Sequence, residues 1–208
     1  TVIVYAIMQY ARVTGNKEYI ARYGLEVMIA ICRFWSQRVS YSQERQKFVL
    51  LGVTGPNEYE NNVNNNWYTN FSCVQCLQST IDSIEMVAHE FPEEYARVRR
   101  VTRFNYAEET SRWQKIIDGM YLPRDEQQGI FIQDDGYPDK ELTTVDDIPA
   151  NERPINQWWS WDRILRSCYI KQSDVLLGLF LYYENFDRET ILRNFRCLLY
   201  TSDAADDT

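Results

Sequence analysis

Basic residues are scarce in this sequence and form no block rich in lysine and arginine. The 208 residues carry 22 basic and 30 acidic side chains, which gives a net charge of −8. Nucleic acids and anionic membranes select for basic patches, so neither is expected as a partner. No apolar run reaches the roughly 18–20 residues that span a bilayer. The start, "TVIVYAIMQY", lacks the basic residues and cleavage site of a secretory signal. We therefore expect a cytoplasmic protein.

Histidine and cysteine are also rare, which limits nucleophilic and metal chemistry. The one histidine, His89, follows "EMVA" in a helical pattern with no motif around it, so we expect a structural role. Five cysteines, an odd number, favour reduced thiols over a disulfide framework. Cys73 and Cys76 form the single CxxC pair, without the further ligands that zinc needs. We expect these cysteines to be structural and no metal to be bound.

The apolar content is sufficient for a packed core. Hydrophobic residues make up 45% of the chain and aromatic residues 14%. A chain of this length is one domain or a piece of a larger one. Many flat, amphipathic rings suit a sugar-binding cleft, but composition alone favours a tyrosine-rich core.

Helical periodicity dominates the pattern of apolar residues and predicts an all-α class with few strands. A first helix stops near Gly15, and Asn16 is a plausible cap for the second, which carries a stripe from Tyr19 to Phe34. Short strands are predicted at "KFVLLGV" (Lys47–Val53) and "GIFIQ". Further helices are predicted in the segments "WYTNFSCVQCLQSTIDSIEMVAHEF", "PEEYARVRRVT", "YAEETSRWQKIIDGM", "SDVLLGLFLYYENF" and "DRETILRNFRCLL".

Both ends of the sequence look unlike natural domain ends. The first residue already lies inside an apolar helical pattern, with no capping residue before it. The last segment, "YTSDAADDT", switches abruptly to small acidic residues. We therefore expect residues 1–199 to be an internal fragment of a larger helical domain, and residues 200–208 to be a non-native tail.

The stretch from Thr54 to Asn70, "TGPNEYENNVNNNWYTN", holds the strongest candidate for chemistry. Glu58 follows a Gly-Pro turn between a strand and a helix, where rigid scaffolds often place catalytic groups. An acid that donates a proton near neutral pH needs a raised pKa. Tyr59, Trp67 and Tyr68 are candidates for the apolar walls of a cleft, and the asparagines for hydrogen bonds to sugar hydroxyls. A solvated polar turn explains the same residues equally well.

Four ordered motifs in the chain resemble the catalytic domain of glycoside hydrolase family 65. They are "VTGPNEYENNVNNNWYTN", "DGYPDKEL", "RPINQWWSWDRILRS" and "IKQSDVL". The resemblance covers nearly the whole chain up to about Phe195, and the motifs are most similar to those of family members that act on maltose. It implies a partial (α/α)6 barrel with short strands in its loops.

The resemblance also implies a reaction, the inverting phosphorolysis of an α-glucosyl disaccharide. Glu58 matches the general acid, and Lys171 and Gln172 match the pair that binds the glucosyl unit. Glu58 and this pair are therefore expected to face one cleft. Inorganic phosphate is the co-substrate and no cofactor is implied. The complete enzyme is expected to be a homodimer. Phosphorylases of trehalose, kojibiose or nigerose, and a non-catalytic carbohydrate-binding helical module, remain alternatives.

Some features have a less definite interpretation. The acidic run "QDDGYPD" does not fit the spacing of a calcium loop and is expected to help shape the cleft. Glu60 is expected to point away from the cleft, as a supporting or solvated group. The family's upstream Trp-Asp pair and downstream phosphate loop have no counterpart here, and Trp161-Asp162 belongs to a different motif. We therefore expect the chain alone to be inactive, with apolar residues exposed on its first and last helices.

Overall fold

The computed structural model describes residues 1–199 and is predominantly helical. Four short strands form two pairs, β1 with β2 and β3 with β4. The predicted all-α class with short strands between helices is confirmed. The helices and strands are α1 (Val2–Thr14), α2 (Lys17–Tyr19), α3 (Leu25–Arg38), β1 (Ser40–Ser42), β2 (Lys47–Val49), α4 (Trp67–Glu90), α5 (Pro92–Thr102), α6 (Tyr106–Gly119), β3 (Arg124–Asp125), β4 (Ile130–Phe131), α7 (Trp161–Arg166), α8 (Asp174–Leu181) and α9 (Arg188–Leu199).

The chain divides into two compact units. The first comprises residues 1–48 and 72–120, and the second comprises residues 49–71 with the described residues from 121 onward. In the first unit, α3 packs on α5 and α6. The face of α3 that is turned inward has helical spacing and is almost fully buried; its residues are Leu25, Met28, Ile29 and Cys32.

The boundary between the first two helical segments is set by local capping. Gly15 ends α1 in the left-handed conformation with φ 69°, which glycine adopts without strain. The Asn16 side chain then accepts a hydrogen bond from the Tyr19 N–H at 3.1 Å. Both features agree with the sequence. A π-helical turn at Ile20–Gly24 joins α2 to α3.

A bidentate ion pair connects α3 with α6 in the first unit. Arg33 donates from Nε to Glu109 Oε2 at 2.6 Å and from Nη2 to Glu109 Oε1 at 2.8 Å. A third donor of the same guanidinium bonds the Thr102 carbonyl at 2.9 Å. The fork geometry fixes the two helices in register more strongly than a single exposed ion pair can.

Three of the five cysteines and the single histidine of the sequence lie in the first unit. Cys73 and Cys76 are buried on α4 as free thiols, and all five cysteines of the chain are unpaired. His89 lies exposed near the end of α4. Within residues 1–199 there is no group of three or more histidine, cysteine or acidic side chains arranged to hold a metal ion.

The second unit contains two hydrophobic clusters. We call the first the Tyr59 cluster; its buried members are Tyr59, Tyr137, Ile148, Ile155, Ile164, Cys168, Tyr169 and Ile170. We call the second the Trp67 cluster; its buried members are Trp67, Phe71, Val175, Leu179 and Leu198. The Tyr59 cluster therefore includes Tyr59 and Ile170, which adjoin Glu58 and Lys171 in the chain. The Trp67 cluster contains the first residue of α4 and the buried apolar side chains of α8.

The sequence predicted one strand that is too long and missed one short helix. The strand expected over Lys47–Val53 ends at Val49, because the following residues turn into a loop. The helical turn α7 was not predicted. Residues 200–208, for which a non-native tail was predicted, lie outside the described residues. Among the helices of the described chain, none combines the length and the apolar character needed to cross a bilayer.

Candidate active site

The polar stretch between β2 and α4 forms a closed loop, in the second unit. Val53 and Val63 pair across its base, with N–H to carbonyl distances of 2.8 and 2.9 Å. Asn62 and Asn65 both take a positive φ of 53°, a conformation that asparagine tolerates better than most residues. The loop thus returns to its own start and presents residues 54–62 as one excursion.

The buried asparagines of this loop bond protein groups, so the expectation that asparagines here hold sugar hydroxyls is wrong for these side chains. Asn65 accepts from the Leu50 N–H at 3.0 Å and donates to Asp135 at 2.6 Å. Asn66 caps α4 by accepting from the Thr69 N–H at 3.0 Å. Both side chains are buried. An irregular loop has no helix or sheet partners for its backbone, and these amides supply them.

The aromatic side chains of the stretch are also structural. Tyr59 is 3% exposed and belongs to the Tyr59 cluster. Trp67 is fully buried and stacks on Phe71 and Phe131, with ring centroids 4.9 and 4.6 Å apart. Tyr68 is buried as well. The expectation that these rings form the walls of a cleft is therefore wrong, because their faces are covered by protein.

The three residues matched to the family's site do lie together. Glu58 Oε2 is 2.8 Å from Lys171 Nζ, and the Glu58 side chain is 63% exposed. The Gln172 amide donates to the Pro56 carbonyl, in the same loop as Glu58. Glu58 and Lys171, 113 positions apart in the chain, are thus in direct contact, as the prediction that they face one cleft requires.

The protonation of Glu58 is controlled by Lys171. The hydrogen bond from Lys171, and next its positive charge, hold the pKa of Glu58 below the ordinary value for glutamate. Burial acts in the opposite direction and is the weaker influence. The raised pKa expected for a general acid is therefore not found in this arrangement, because the carboxylate is exposed and has a cationic partner.

A hydrogen bond between a side chain and the main chain joins two segments of the site. We call residues 50–66, which carry Glu58, the acid loop, and residues 171–173 the Lys-Gln segment. The Asn57 side-chain oxygen accepts from the Lys171 N–H at 3.1 Å and from the Tyr59 N–H at 3.3 Å. Asn57 itself is fully buried. Because Asn57 directly precedes Glu58, its amide sets the position of the acid relative to the segment that carries Lys171.

Buried carboxylates lie on the inner side of the acid loop. Glu60 is 3% exposed and pairs with Lys140 Nζ at 2.9 Å, so it is a buried supporting group and not a solvated one. Asp134, in the acidic run, is also buried. Burial, and then the charge of Glu60, raise the pKa of Asp134 to about 7. The acidic run thus contacts the buried side of the loop. Its Asp135 does so by accepting a hydrogen bond from the Asn65 side chain.

A further acidic residue, Asp174, was not singled out from the sequence. It is fully buried and accepts from the Asn57 N–H and the Asn66 side-chain amide, both at 2.6 Å. Burial raises the pKa of Asp174 to about 7, against the hydrogen bond from Asn66, which lowers it. A signal was available, because Asp174 is the last residue of "KQSD" and Asn57 stands within "GPNEY".

The sequence matches a family model along nearly its full length. The model is that of the glycosyl hydrolase family 65 central catalytic domain, and it matches residues 1–205. The chain is 46% identical over 193 residues to a maltose phosphorylase of Bacillus subtilis (strain 168). It is 35% identical to an α,α-trehalose phosphorylase of Thermoanaerobacter brockii and 32% identical to a kojibiose phosphorylase of Halothermothrix orenii.

These matches cover most of the chain but a small part of each relative. The three alignments each cover 93% of this chain and 24–25% of the relative, so the chain spans about a quarter of the length of the curated relatives it matches. A solved structure described as a kojibiose phosphorylase from the human microbiome superposes with a TM-score of 0.83. It is 30% identical, over 95% of this chain and 27% of that one. This likeness is consistent with the partial helical barrel implied by the sequence motifs, and the chain belongs to glycosyl hydrolase family 65, within its central catalytic domain.

Proposed function

We propose that the complete protein carrying this segment is an inverting disaccharide phosphorylase that acts on maltose. Maltose and phosphate are converted to β-glucose 1-phosphate and glucose. The observation that carries the proposal is the convergence of an exposed Glu58 carboxylate, 2.8 Å from Lys171 Nζ, with the Gln172 amide in one surface site. Inorganic phosphate is the co-substrate, and the reaction uses no organic cofactor.

Glu58 supplies the proton in this mechanism. Its carboxyl donates to the glycosidic oxygen while a phosphate oxygen attacks the anomeric carbon from the opposite face. The bond to the leaving glucose breaks, and the configuration inverts. The glucose 1-phosphate formed from hydrogen phosphate releases its remaining proton to solvent, and the Glu58 carboxylate takes up a proton from solvent, which restores the acid. An inverting hydrolase needs a second carboxylate to activate water. Phosphate is already an anionic nucleophile, so a second catalytic carboxylate is not required.

The ion pair between Glu58 and Lys171 explains how the proton is loaded. A glucosyl unit whose hydroxyls bond Lys171 and Gln172 draws the ammonium away from Glu58. The same sugar covers the carboxylate, which is 63% exposed without it. Both changes favour the neutral acid, because desolvation and the loss of a cationic partner raise a carboxyl pKa. Substrate binding itself thus raises the pKa of the acid.

The preference for maltose is supported by sequence similarity. The match to the maltose phosphorylase, at 46% identity, exceeds the matches to the trehalose and kojibiose phosphorylases, at 35% and 32%. A nigerose phosphorylase of Lachnoclostridium phytofermentans matches at 23%. Trehalose, kojibiose and nigerose are therefore the alternatives to maltose as the substrate.

The test is phosphate-dependent turnover of a disaccharide panel by a full-length enzyme that carries this segment. Maltose, trehalose, kojibiose and nigerose are incubated with and without phosphate, and glucose and glucose 1-phosphate are measured. Maltose should react fastest, only with phosphate, and the phosphate ester should be the β-anomer. Faster turnover of another disaccharide would replace the acceptor assignment. Sugar binding without any turnover would favour the non-catalytic module.

A further inference from the structure

Asp174 lies where the acid loop, the Lys-Gln segment and two helices meet. It follows the capping residue Ser173, whose hydroxyl accepts from the Leu176 N–H at 3.2 Å, and it begins α8. Lys171 and Gln172 precede it by three and two positions. Its side chain is fully buried, so it does not contact substrate, and the mechanism above gives it no role.

Both oxygens of the Asp174 carboxylate bond the acid loop. Oδ1 accepts from the backbone N–H of Asn57, the residue before Glu58, and Oδ2 accepts from the side-chain amide of Asn66. Both distances are 2.6 Å, shorter than the usual range for N–H···O hydrogen bonds. Both carboxyl oxygens act as acceptors, which suits the ionised form, while burial opposes that form and raises the pKa of Asp174 to about 7. The buried Asp174 carboxylate thus holds the acid loop at two points, next to Glu58 and at the junction with α4.

The loop backbone approaches this carboxylate closely at a third position. A Cβ atom added to Gly55 would lie 1.9 Å from Asp174 Oδ2 and 2.6 Å from Asn66 Nδ2. Neither atom can give way easily, because each is hydrogen-bonded to the other. The glycine before Pro56 is therefore required by contact with Asp174, and the turn that presents Glu58 is built around this side chain.

We propose that Asp174 is a positioning residue for phosphorolysis, which holds Glu58 at the correct distance from the sugar-binding pair Lys171 and Gln172. The inference rests on the proposed function. It has a specific consequence, because Lys171 and Gln172 belong to the same stretch of chain as Asp174. We therefore expect an altered carboxylate to displace Glu58 more than this pair, although the pair also bonds the loop at Asn57 and Pro56. The acid loop, held through Asn57 and Asn66, is the part that moves most.

The test compares two leaving groups in the full-length enzyme. Asp174→Asn keeps the shape of the side chain but turns one acceptor into a donor. The Asn66 amide cannot rotate to compensate, because its oxygen caps α4. Maltose needs the proton from Glu58, whereas glucosyl fluoride releases fluoride without it. Displacing a catalytic group by about 1 Å can cost about 100-fold. We expect kcat/KM for maltose to fall about 100-fold and that for glucosyl fluoride to fall less than about 10-fold.

Control variants separate positioning from folding. Asn66→Ser keeps a capping oxygen but removes the donor to Asp174, so it should produce the same preferential loss on maltose, to a smaller extent. Asp162→Asn changes an exposed aspartate in the first turn of α7 and should leave both activities unchanged. Thermal unfolding of each variant shows whether it is folded.

The outcomes distinguish this inference from the proposed function. A wild-type enzyme without phosphate-dependent turnover of any disaccharide would refute the proposed function. With an active wild type, equal losses on both substrates, or no loss, in Asp174→Asn would overturn the positioning role. If Asp174→Asn does not fold, Asn66→Ser decides by the same ratio. If neither variant folds, the contact is required for folding alone, and the inference is also overturned.

Discussion

The acid of this site is an exposed carboxylate that pairs with one ammonium. Lys171 Nζ lies 2.8 Å from Glu58 Oε2 and lowers the pKa of the Glu58 carboxyl. A carboxyl whose pKa is lowered by folding stabilises the fold above its unfolded pKa of about 4.3 and loses this contribution as the pH falls. The contact between Glu58 and Lys171 therefore affects both the free energy of unfolding and the protonation state of Glu58.

Replacing Lys171 by methionine should raise the pKa of Glu58. The substitution removes both the hydrogen bond and the charge that favour the ionised form, so the pKa should return to the ordinary range of a glutamate or rise above it. The measurement is the carboxyl ¹³C chemical shift of Glu58 as a function of pH. Lys17→Met, which removes the partner of Glu90 at 2.6 Å, is the matched control and should not move the Glu58 titration. An unchanged or lower pKa in Lys171→Met would contradict the account.

Single residues of the site were predictable to different degrees. Glu58, Lys171 and Gln172 could be singled out because each stands in a motif that resembles one of the family, and the structure brings them together. Asn57 and Asp174 stand in the same motifs, but their roles depend on a contact between segments 117 positions apart, which spacing along the chain does not show. The buried asparagines were wrongly expected to bind sugar, because an amide suited to a ligand is equally suited to an unpaired loop backbone.

At the scale of elements, α8 packs tightly against the start of α4. A Cβ atom added to Gly178, within α8, would lie 2.6 Å from Cζ3 of Trp67. The indole cannot withdraw, since it stacks between Phe71 and Phe131. The glycine therefore allows α8, which carries Asp174 at its first turn, to approach the helix that follows the acid loop.

Gly178→Ala should destabilise the chain, although alanine is the better helix former. The gain in helix propensity is about 1 kcal/mol. Overpacking against a fixed indole costs about 1–3 kcal/mol, so the net effect should be a loss of up to about 2 kcal/mol. The measurement is the midpoint of urea unfolding. In a Trp67→Phe background the same substitution should cost less, because the smaller ring leaves room. A rise in the midpoint in the wild-type background would refute this packing argument.

Helix positions were more predictable from the sequence than their buried faces. Gly15 and Asn16 signal a boundary chemically, so the end of α1 was foreseen. The stripe from Tyr19 to Phe34 identified a helix, yet Tyr23 is 63% and Phe34 56% exposed. The buried face of the α3 segment is the neighbouring one, around Leu25 and Ile29. Both faces are apolar, so periodicity alone does not choose between them.

At the scale of the whole molecule, apolar side chains are open to solvent on the first and last helices. Val2, Ile3 and Val13 of α1 are 58–83% exposed, and Leu192 and Phe195 of α9 are 39% and 47% exposed. This agrees with the exposure expected from the sequence. Large exposed apolar patches mark interaction sites or promote association. The chain spans about a quarter of the length of its curated relatives, so the activity is proposed for the complete enzyme.

The central claim, that Glu58 is the general acid of a phosphorylase, is tested most directly by Glu58→Gln in a full-length enzyme that carries this segment. The amide keeps the size of the side chain but has no acidic proton to donate. Phosphorolysis of maltose should fall by roughly 10²–10⁴-fold, the usual contribution of general acid catalysis. Phosphate-dependent turnover of glucosyl fluoride, whose leaving group needs no proton, should be far less affected. Equal losses on both substrates would contradict the claim and would assign Glu58 a role in binding or structure.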